Sequence, residues 1–205
     1  ALSWIPPGMP GYDANLGSQY KLDVAKAKQL LAQAGFPDGK GLPTMTFSYS
    51  DTTGNRLIAQ FLQSQMKENL GIDIKLDPQE SKAYRQFLTQ NQHQWAFLGW
   101  GADYPDPENF LPGLFGTGAG NNHTLYANPQ FDALTKQATT ELDEAKRLAL
   151  WAQAQKMMID DAPIAPVFYR ERFWVKKPNV LNFKVTSMDG GVPGDFFFSD
   201  IAIGK

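Results

Sequence analysis

The 205-residue sequence has no cysteine and only two histidines. Without cysteine the chain has no disulfide, no zinc–thiolate site and no thiol nucleophile. His93 and His123 are far apart in the sequence and lack a histidine partner at helical spacing, so we expect loop or surface residues and no metal site. The sequence also lacks the GxSxG, HExxH, Walker A and GxGxxG motifs, and we expect neither a catalytic residue nor a cofactor.

The charges nearly cancel, with 19 basic and 21 acidic residues and a formal net charge of −2. The basic residues are dispersed apart from Lys176 and Lys177, and this excludes the concentrated basic face that nucleic-acid binding needs. No run of about 20 apolar residues is present, so contact with a membrane is expected to be indirect only. The chain begins with Ala1 and has no signal-peptide pattern, which favours a processed product or an excised piece.

The first half of the chain alternates between strand and helix patterns. Asp23 predicts the N-cap of a helix that has apolar residues at helical spacing and ends at Gly35. Strands are predicted at 44–50, 72–79 and 95–100, and helices at 55–71 and 81–92, the apolar and alternating patterns being read from the sequence. This alternation is typical of βαβ units, so we predict an α/β fold with a largely parallel or mixed sheet flanked by helices.

The part of the chain from Asn128 onward is predicted to begin with two helices. One opens at Asn128 and the other is capped by Asp143. The second helix should bury Leu148, Trp151, Ala152, Met158 and Ile159 on one face and end at the polar pair Asp160 and Asp161. Strands are predicted at 164–169 and 172–177. The aromatic-rich segment 194–205 is either an edge strand or a packing arm.

The stretch GWGADYPDP (99–107) concentrates two aromatics, two acids and two prolines after the third predicted strand. Ligands of open α/β sheets bind beyond the carboxyl ends of strands, and we place this stretch after a central strand. Gly99 and Gly101 are expected to allow close backbone approach or unusual dihedrals. Two interpretations stay open: a ligand site, or a rigid loop in which Asp106 caps a helix over 107–115.

Two neighbouring patterns are weaker signals. The glycine-rich GTGAGNN (116–122) follows no strand and lacks the Lys-Ser/Thr of a phosphate loop. Asn122, His123 and Thr124 match an N-glycosylation triplet, which we interpret as an accidental match.

Five stretches together resemble a known family in their order along the chain: WIPPGMPGY, DVAKAKQLLAQAGFPDG, GWGADYPDPENFL, YANPQFDALTKQA and APIAPVFYRERFWVKKPNV. They are similar to the C-terminal lobe of the dipeptide/oligopeptide-type (family 5) solute-binding proteins of bacterial ABC importers. The resemblance covers nearly all of the sequence. It implies that 1–205 is a single domain, one lobe of a type II periplasmic-binding-protein-like fold, excised from a longer two-lobed protein.

The resemblance also implies a function and a site. The chain is expected to form half of a cleft that binds small solutes, above all short peptides, for delivery to an ABC permease. In peptide-binding members the aspartate of the W-x-x-D run pairs with the ligand's α-amino group, which here is Asp103, with Trp100 and Tyr104 as aromatic walls. Asn121, Asn122 and Tyr126 are expected to shape side-chain pockets. The implied location is periplasmic or extracellular, attached to the bacterial cell envelope as in a lipoprotein.

Three alternatives remain open. The family also binds nickel complexes and sugars, so Asp103 alone does not identify a peptide ligand. A hydrolase could use Asp103 and Asp106 as acid and base, but no nucleophile or oxyanion donor accompanies them. An interaction module could dock through the aromatics of DFFFSD (195–200) and the wall of the incomplete cleft.

Overall fold

The structure is a computed structural model that describes residues 1–171, 173–184 and 198–204, with only the backbone of Phe198. The chain divides into two compact units, and the single excised domain expected over 1–205 stays a prediction. We call Gln19–Gly99 the middle unit, and Ala1–Ser18 with Trp100–Lys205 the terminal unit.

The middle unit is a three-stranded parallel sheet with helices between its strands. β1 is hydrogen-bonded on one side to β2 and on the other to β3, so the strand order is β2-β1-β3. The predicted α/β fold with a parallel sheet and flanking helices is thereby confirmed. The elements are α1 (Val24–Gln33), β1 (Met45–Ser50), α2 (Thr53–Leu70), β2 (Ile74–Gln79), α3 (Ser81–Thr89) and β3 (Trp95–Ala96).

Capping side chains fix the helix ends of the middle unit. The predicted cap Asp23 accepts a hydrogen bond from the Lys26 amide at the start of α1. Glu80 accepts bonds from two first-turn amides of α3, and these bonds lower its pKa. Tyr84 of α3 is buried and its hydroxyl donates to the carbonyls of Ser48 and Phe97, while burial raises its pKa. These bonds tie α3 to β1 and to the residue after β3.

The terminal unit is mainly helical. It contains a short 3-10 helix at Pro107–Asn109 and a two-stranded antiparallel sheet in which Val180 pairs with Ile203. Gln155 is fully buried and holds the N-terminal segment, since its Oε1 accepts from the Ser3 hydroxyl and the Ile5 amide. The regular elements are α4 (Pro112–Phe115), α5 (Pro129–Thr140), α6 (Glu144–Asp161), β4 (Val180–Leu181) and β5 (Ala202–Ile203).

The core of the terminal unit gathers around α6. Trp151, Ala154 and Met158 are fully buried there, together with Phe131 of α5. The predicted apolar face of α6 is therefore largely right, but Ala152 is exposed. Asp161 ends α6, as predicted for the polar pair. None of the helices in the described ranges is long and apolar enough to cross a membrane.

The third strand differs from its prediction over 95–100. β3 covers only Trp95–Ala96, and within the described residues its one partner is β1, so it lies at an edge of the sheet and not at its centre. Its two residues are half-buried, and Leu98 is exposed. An uncharged run therefore did not mark a buried strand here, because burial depends on neighbours that periodicity does not reveal.

Three further predictions need correction or fall partly outside the described residues. Residues 164–169 and 173–177 belong to no strand of the described chain, since no neighbouring strand pairs with them. The helix predicted over 107–115 is divided into Pro107–Asn109 and α4. At the C-terminus, β5 supports the edge-strand interpretation, while 195–197 of the aromatic docking segment lie outside the described residues.

Candidate functional site

Residues 99–107 connect the middle unit to the terminal unit. Gly99 is the last residue of the middle unit, and Trp100 begins the second part of the terminal unit. The glycines of this segment have no left-handed backbone, so the close approach expected of them stays a prediction. Neither Gly99 nor Gly101 has a positive φ, and a Cβ on either would meet open space. The shape of the segment instead comes from side-chain hydrogen bonds.

Asn109 organises the predicted site residues. Its side chain is buried, and its Oδ1 accepts two hydrogen bonds, from Trp100 Nε1 at 2.9 Å and from the Asp103 amide at 3.1 Å. Its Nδ2 donates to Asp103 Oδ2 at 3.1 Å. The structure thus brings Trp100 and Asp103 together on a single amide side chain.

Asp103 is exposed and Trp100 is half-buried against the core of the terminal unit. Within the described residues, the hydrogen bond from Asn109 is the only one that the Asp103 carboxylate accepts, and it goes to Oδ2. A carboxylate has about four lone-pair sites on its two oxygens, so Asp103 keeps acceptor capacity for a cationic donor. The geometry provides one held acid beside one held indole.

Tyr104 also lies near the surface, with 41% of its area exposed. Its hydroxyl donates to the Glu108 carboxylate. This hydrogen bond, followed by partial burial, raises the pKa of Tyr104. The ring is therefore an exposed aromatic surface whose polar end is already engaged.

Asp106 has a structural role. Its Oδ1 accepts from the Glu108 amide, as the predicted cap, and both its oxygens accept from Arg147 Nη2 at 2.8 and 2.7 Å. Arg147 belongs to α6 and also lies over the Trp151 ring, 5.6 Å from the ring centroid. Both oxygens of Asp106 are therefore engaged by groups of the fold, which argues against a hydrolase that pairs Asp106 with Asp103.

The predicted pocket residues of the 116–126 loop have different environments. Asn121 is exposed. Asn122 is buried, and its Nδ2 donates to the carbonyls of Gly116 and Tyr126. Its Oδ1 accepts from the Thr124 hydroxyl. Asn122 thus holds the loop together, an arrangement that favours neither the predicted ligand contact nor glycosylation.

Tyr126 points its hydroxyl to Asp161, to which it donates a hydrogen bond of 2.6 Å. Burial and then this carboxylate raise its pKa. Its ring packs edge-on against Phe131, 5.4 Å between centroids. These contacts connect the loop to α5 and to the end of α6, so a structural role accounts for Tyr126.

An open depression in the terminal unit lies beside this loop. It is lined by Glu108, Thr117, Asp132 and Lys136, among others. Neither Trp100 nor Asp103 lines it. The predicted site is therefore separate from this depression, and Asp103 is exposed.

Sequence reasoning missed Asn109 and Arg147. The signal for Asn109 is weak: it precedes the apolar pair Phe110 and Leu111, and a side chain buried with them needs hydrogen-bond partners. No comparable signal marks Arg147, which lies 41 residues beyond its partner Asp106.

A parallel α/β sheet with flanking helices, and an exposed acid beside an aromatic side chain, are typical of a ligand-binding α/β protein. Comparisons with known proteins specify the class further. The sequence model described as "Bacterial extracellular solute-binding proteins, family 5 Middle" matches residues 1–122. The chain therefore belongs to the bacterial extracellular solute-binding proteins of family 5.

The relatives include oligopeptide- and dipeptide-binding proteins. The oligopeptide-binding protein OppA of Bacillus subtilis is 35% identical over 185 residues, which are 88% of this chain and 34% of the relative. OppA of Burkholderia pseudomallei has a solved structure with a TM-score of 0.83 at 27% identity, covering 100% of this chain and 40% of that one. The chain thus spans between a third and two fifths of the length of these relatives.

A third relative was solved with a ligand. The periplasmic binding protein DppA of Helicobacter pylori, in complex with the peptide STSA, has a TM-score of 0.72 at 34% identity. The match covers 80% of this chain and 32% of that one.

Proposed function

We propose that this chain is the C-terminal lobe of a longer, two-lobed protein that binds short peptides and delivers them to an ABC importer. The observation that carries the proposal is the exposed carboxylate of Asp103, held by Asn109 beside the indole of Trp100. The relatives named for binding oligopeptides and dipeptides support it. The proposed location is the periplasm or the outer surface of the cell envelope, in line with relatives named as periplasmic.

Asp103 is proposed to bind the α-ammonium group of the peptide. A charge-assisted hydrogen bond between an ammonium and a carboxylate is about twice as strong as a neutral one. The attraction grows when a second lobe closes over the ligand and excludes water, because the local dielectric constant falls. Closure is then a population shift driven by the ligand, with no chemical step.

The aromatic residues are proposed as walls of the same site. Trp100 offers an indole face whose ring nitrogen is already hydrogen-bonded, and Tyr104 offers an exposed ring. Such faces suit both an ammonium, through cation–π attraction, and apolar peptide side chains. Asn121 is exposed in the following loop and remains a proposed contact for a ligand side chain.

The class of ligand can be tested by isothermal titration of the full-length protein that contains this chain. The probes are trialanine, a nickel–histidine complex and maltose. We expect a saturable binding isotherm with trialanine alone. The Asp103 carboxylate, fixed by Asn109 beside the Trp100 ring, can bind a free α-ammonium group. Saturable binding of the nickel complex or of maltose, with no binding of trialanine, would contradict the proposal.

A further inference from the structure

Asn109 makes three hydrogen bonds that only a side-chain amide can make together. Two N–H donors, Trp100 Nε1 and the Asp103 amide, point at its Oδ1, and its Nδ2 points at Asp103 Oδ2. The two N–H groups need an acceptor and the carboxylate needs a donor, so one orientation of the amide satisfies all three. A carboxylate at this position would repel Asp103, and an apolar side chain would leave buried polar groups unpaired.

The base on which Asn109 stands is fixed. Asn109 ends the 3-10 helix Pro107–Asn109, whose N-cap is Asp106, and its amide donates to the Asp106 carbonyl. The two contacts from Arg147 Nη2 to the Asp106 carboxylate tie this cap to α6. Asn109 itself is only 7% exposed. A buried side chain on a fixed turn therefore determines where an exposed acid, Asp103, can point.

We propose that Asn109 is the positioning residue of the ammonium site: it holds Asp103 Oδ2, leaves Oδ1 to accept the ligand's α-ammonium, and keeps the Trp100 indole beside it. The inference rests on the proposed function, since it assigns the ammonium to Asp103. The new element is that recognition of a free amino terminus depends on Asn109, whose side-chain oxygen and nitrogen both hydrogen-bond within the protein. Asn109 acts through Asp103 and need not touch the ligand.

The test is a double-mutant cycle in the full-length protein, measured by isothermal titration with trialanine and N-acetyltrialanine. Asn109→Ala is expected to weaken trialanine binding about tenfold, the usual order for a lost hydrogen bond to a charged group. In an Asp103→Asn background the same change should alter affinity less than about twofold. Asn109 is proposed to act through Asp103, so the two changes are coupled and their effects do not add. Asn109→Ala should have an equally small effect on N-acetyltrialanine.

A merely structural role gives a different pattern. Asn109→Ala would then weaken both peptides, and both backgrounds, by the same factor, and this result would overturn the inference. Thr135→Ala is the matched control, because Thr135 is similarly buried in the terminal unit and its hydroxyl donates to the local carbonyl of Asp132. Its variant should bind both peptides as the wild type does.

Two further readouts keep the outcomes distinct. If circular dichroism shows that Asn109→Ala does not fold, the same double-mutant cycle is measured with Asn109→Ser, which keeps a small polar side chain. If wild-type protein binds neither peptide, the proposed function fails. If it binds trialanine no better than N-acetyltrialanine, the ammonium site at Asp103 fails, and with it the role of Asn109. If it prefers trialanine and the Asn109 variants keep that preference, only the role of Asn109 fails.

Discussion

Asp103 and Asp106 are three residues apart, yet the structure gives them opposite environments. Asp106 caps a turn and is bound by Arg147, so its charge stabilises the fold. Asp103 accepts a side-chain hydrogen bond from Asn109 and is exposed. Although the two acids are close in the sequence, Asp106 therefore has a structural role and Asp103 is the candidate binding residue. They are not an acid–base pair.

Asp106→Asn should destabilise the protein although asparagine is itself a good N-cap. The change keeps the cap but removes the charge that faces Arg147, whose side chain is 28% exposed. The expected loss in the free energy of unfolding is about 1–2 kcal/mol, the range for a charge-assisted hydrogen bond reduced for partial exposure. Urea unfolding at neutral pH measures it.

Lys146→Met serves as the control for this prediction. Lys146 and Asp143 are an exposed pair 3.9 Å apart, so its loss should change the free energy of unfolding by less than about 0.5 kcal/mol. Equal effects of the two changes would show that the Asp106–Arg147 contact contributes no more than an ordinary surface pair.

The sequence predicts that the candidate site residues lie close together, and the reason is local, while their roles in binding stay a prediction from the family resemblance. Trp100, Asp103 and Tyr104 lie within five positions, and the capping role of Asp106 follows from its place before Pro107. The contact of Arg147 with Asp106 was not predictable, because it depends on how α6 packs. The expected ligand contact at Asn122 is disfavoured for the same reason, because its partners are loop carbonyls that only folding brings near.

Helices and strands differ in how far the sequence determines them. The starts of α1, α5 and α6 lie at their predicted caps, and α2 and α6 end within one residue of their predicted ends, because caps act within one turn. α3 ends at Thr89, earlier than its apolar pattern suggests, since Asn91 takes a left-handed φ of 51°. Strands need partners, and for this reason the predicted strands at 164–169 and 172–177 were the least reliable.

The end of α2 offers a test of such a local determinant. Gly71 has a φ of 70°, and a Cβ there would lie 2.4 Å from the Asp38 carbonyl oxygen. Gly71→Ala should therefore lower the free energy of unfolding by more than about 1 kcal/mol, because both the left-handed backbone and the contact are unfavourable for alanine. Thermal or urea unfolding gives the value.

Gly54 in the first turn of α2 is the matched control. It has no positive φ, and a Cβ there meets nothing within 4 Å. Gly54→Ala should stabilise the protein by roughly 0.4–1 kcal/mol, because alanine loses less backbone entropy on folding. A similar loss of stability at both positions would contradict the account of how α2 ends.

Taken as a chain of 205 residues, the protein carries the fold and the family of a solute-binding protein but spans only 34% of the B. subtilis OppA relative. The proposed ligand-binding surface is correspondingly open, with Asp103 and Tyr104 both exposed. A surface of this kind is expected to reach full affinity only when a second lobe covers it, since exposed ion pairs contribute about 0–1 kcal/mol. The proposed cleft thus belongs to the longer protein.

The most direct measurement of the proposed ammonium site compares trialanine with N-acetyltrialanine by isothermal titration of the full-length protein, as wild type and as Asp103→Asn. We predict that acetylation weakens wild-type binding at least about tenfold, because a charged group loses its partner. In Asp103→Asn this penalty should largely disappear. An acetylation penalty of the same size in both proteins, or none in the wild type, would contradict the assignment of Asp103 as the residue that binds the peptide's amino terminus.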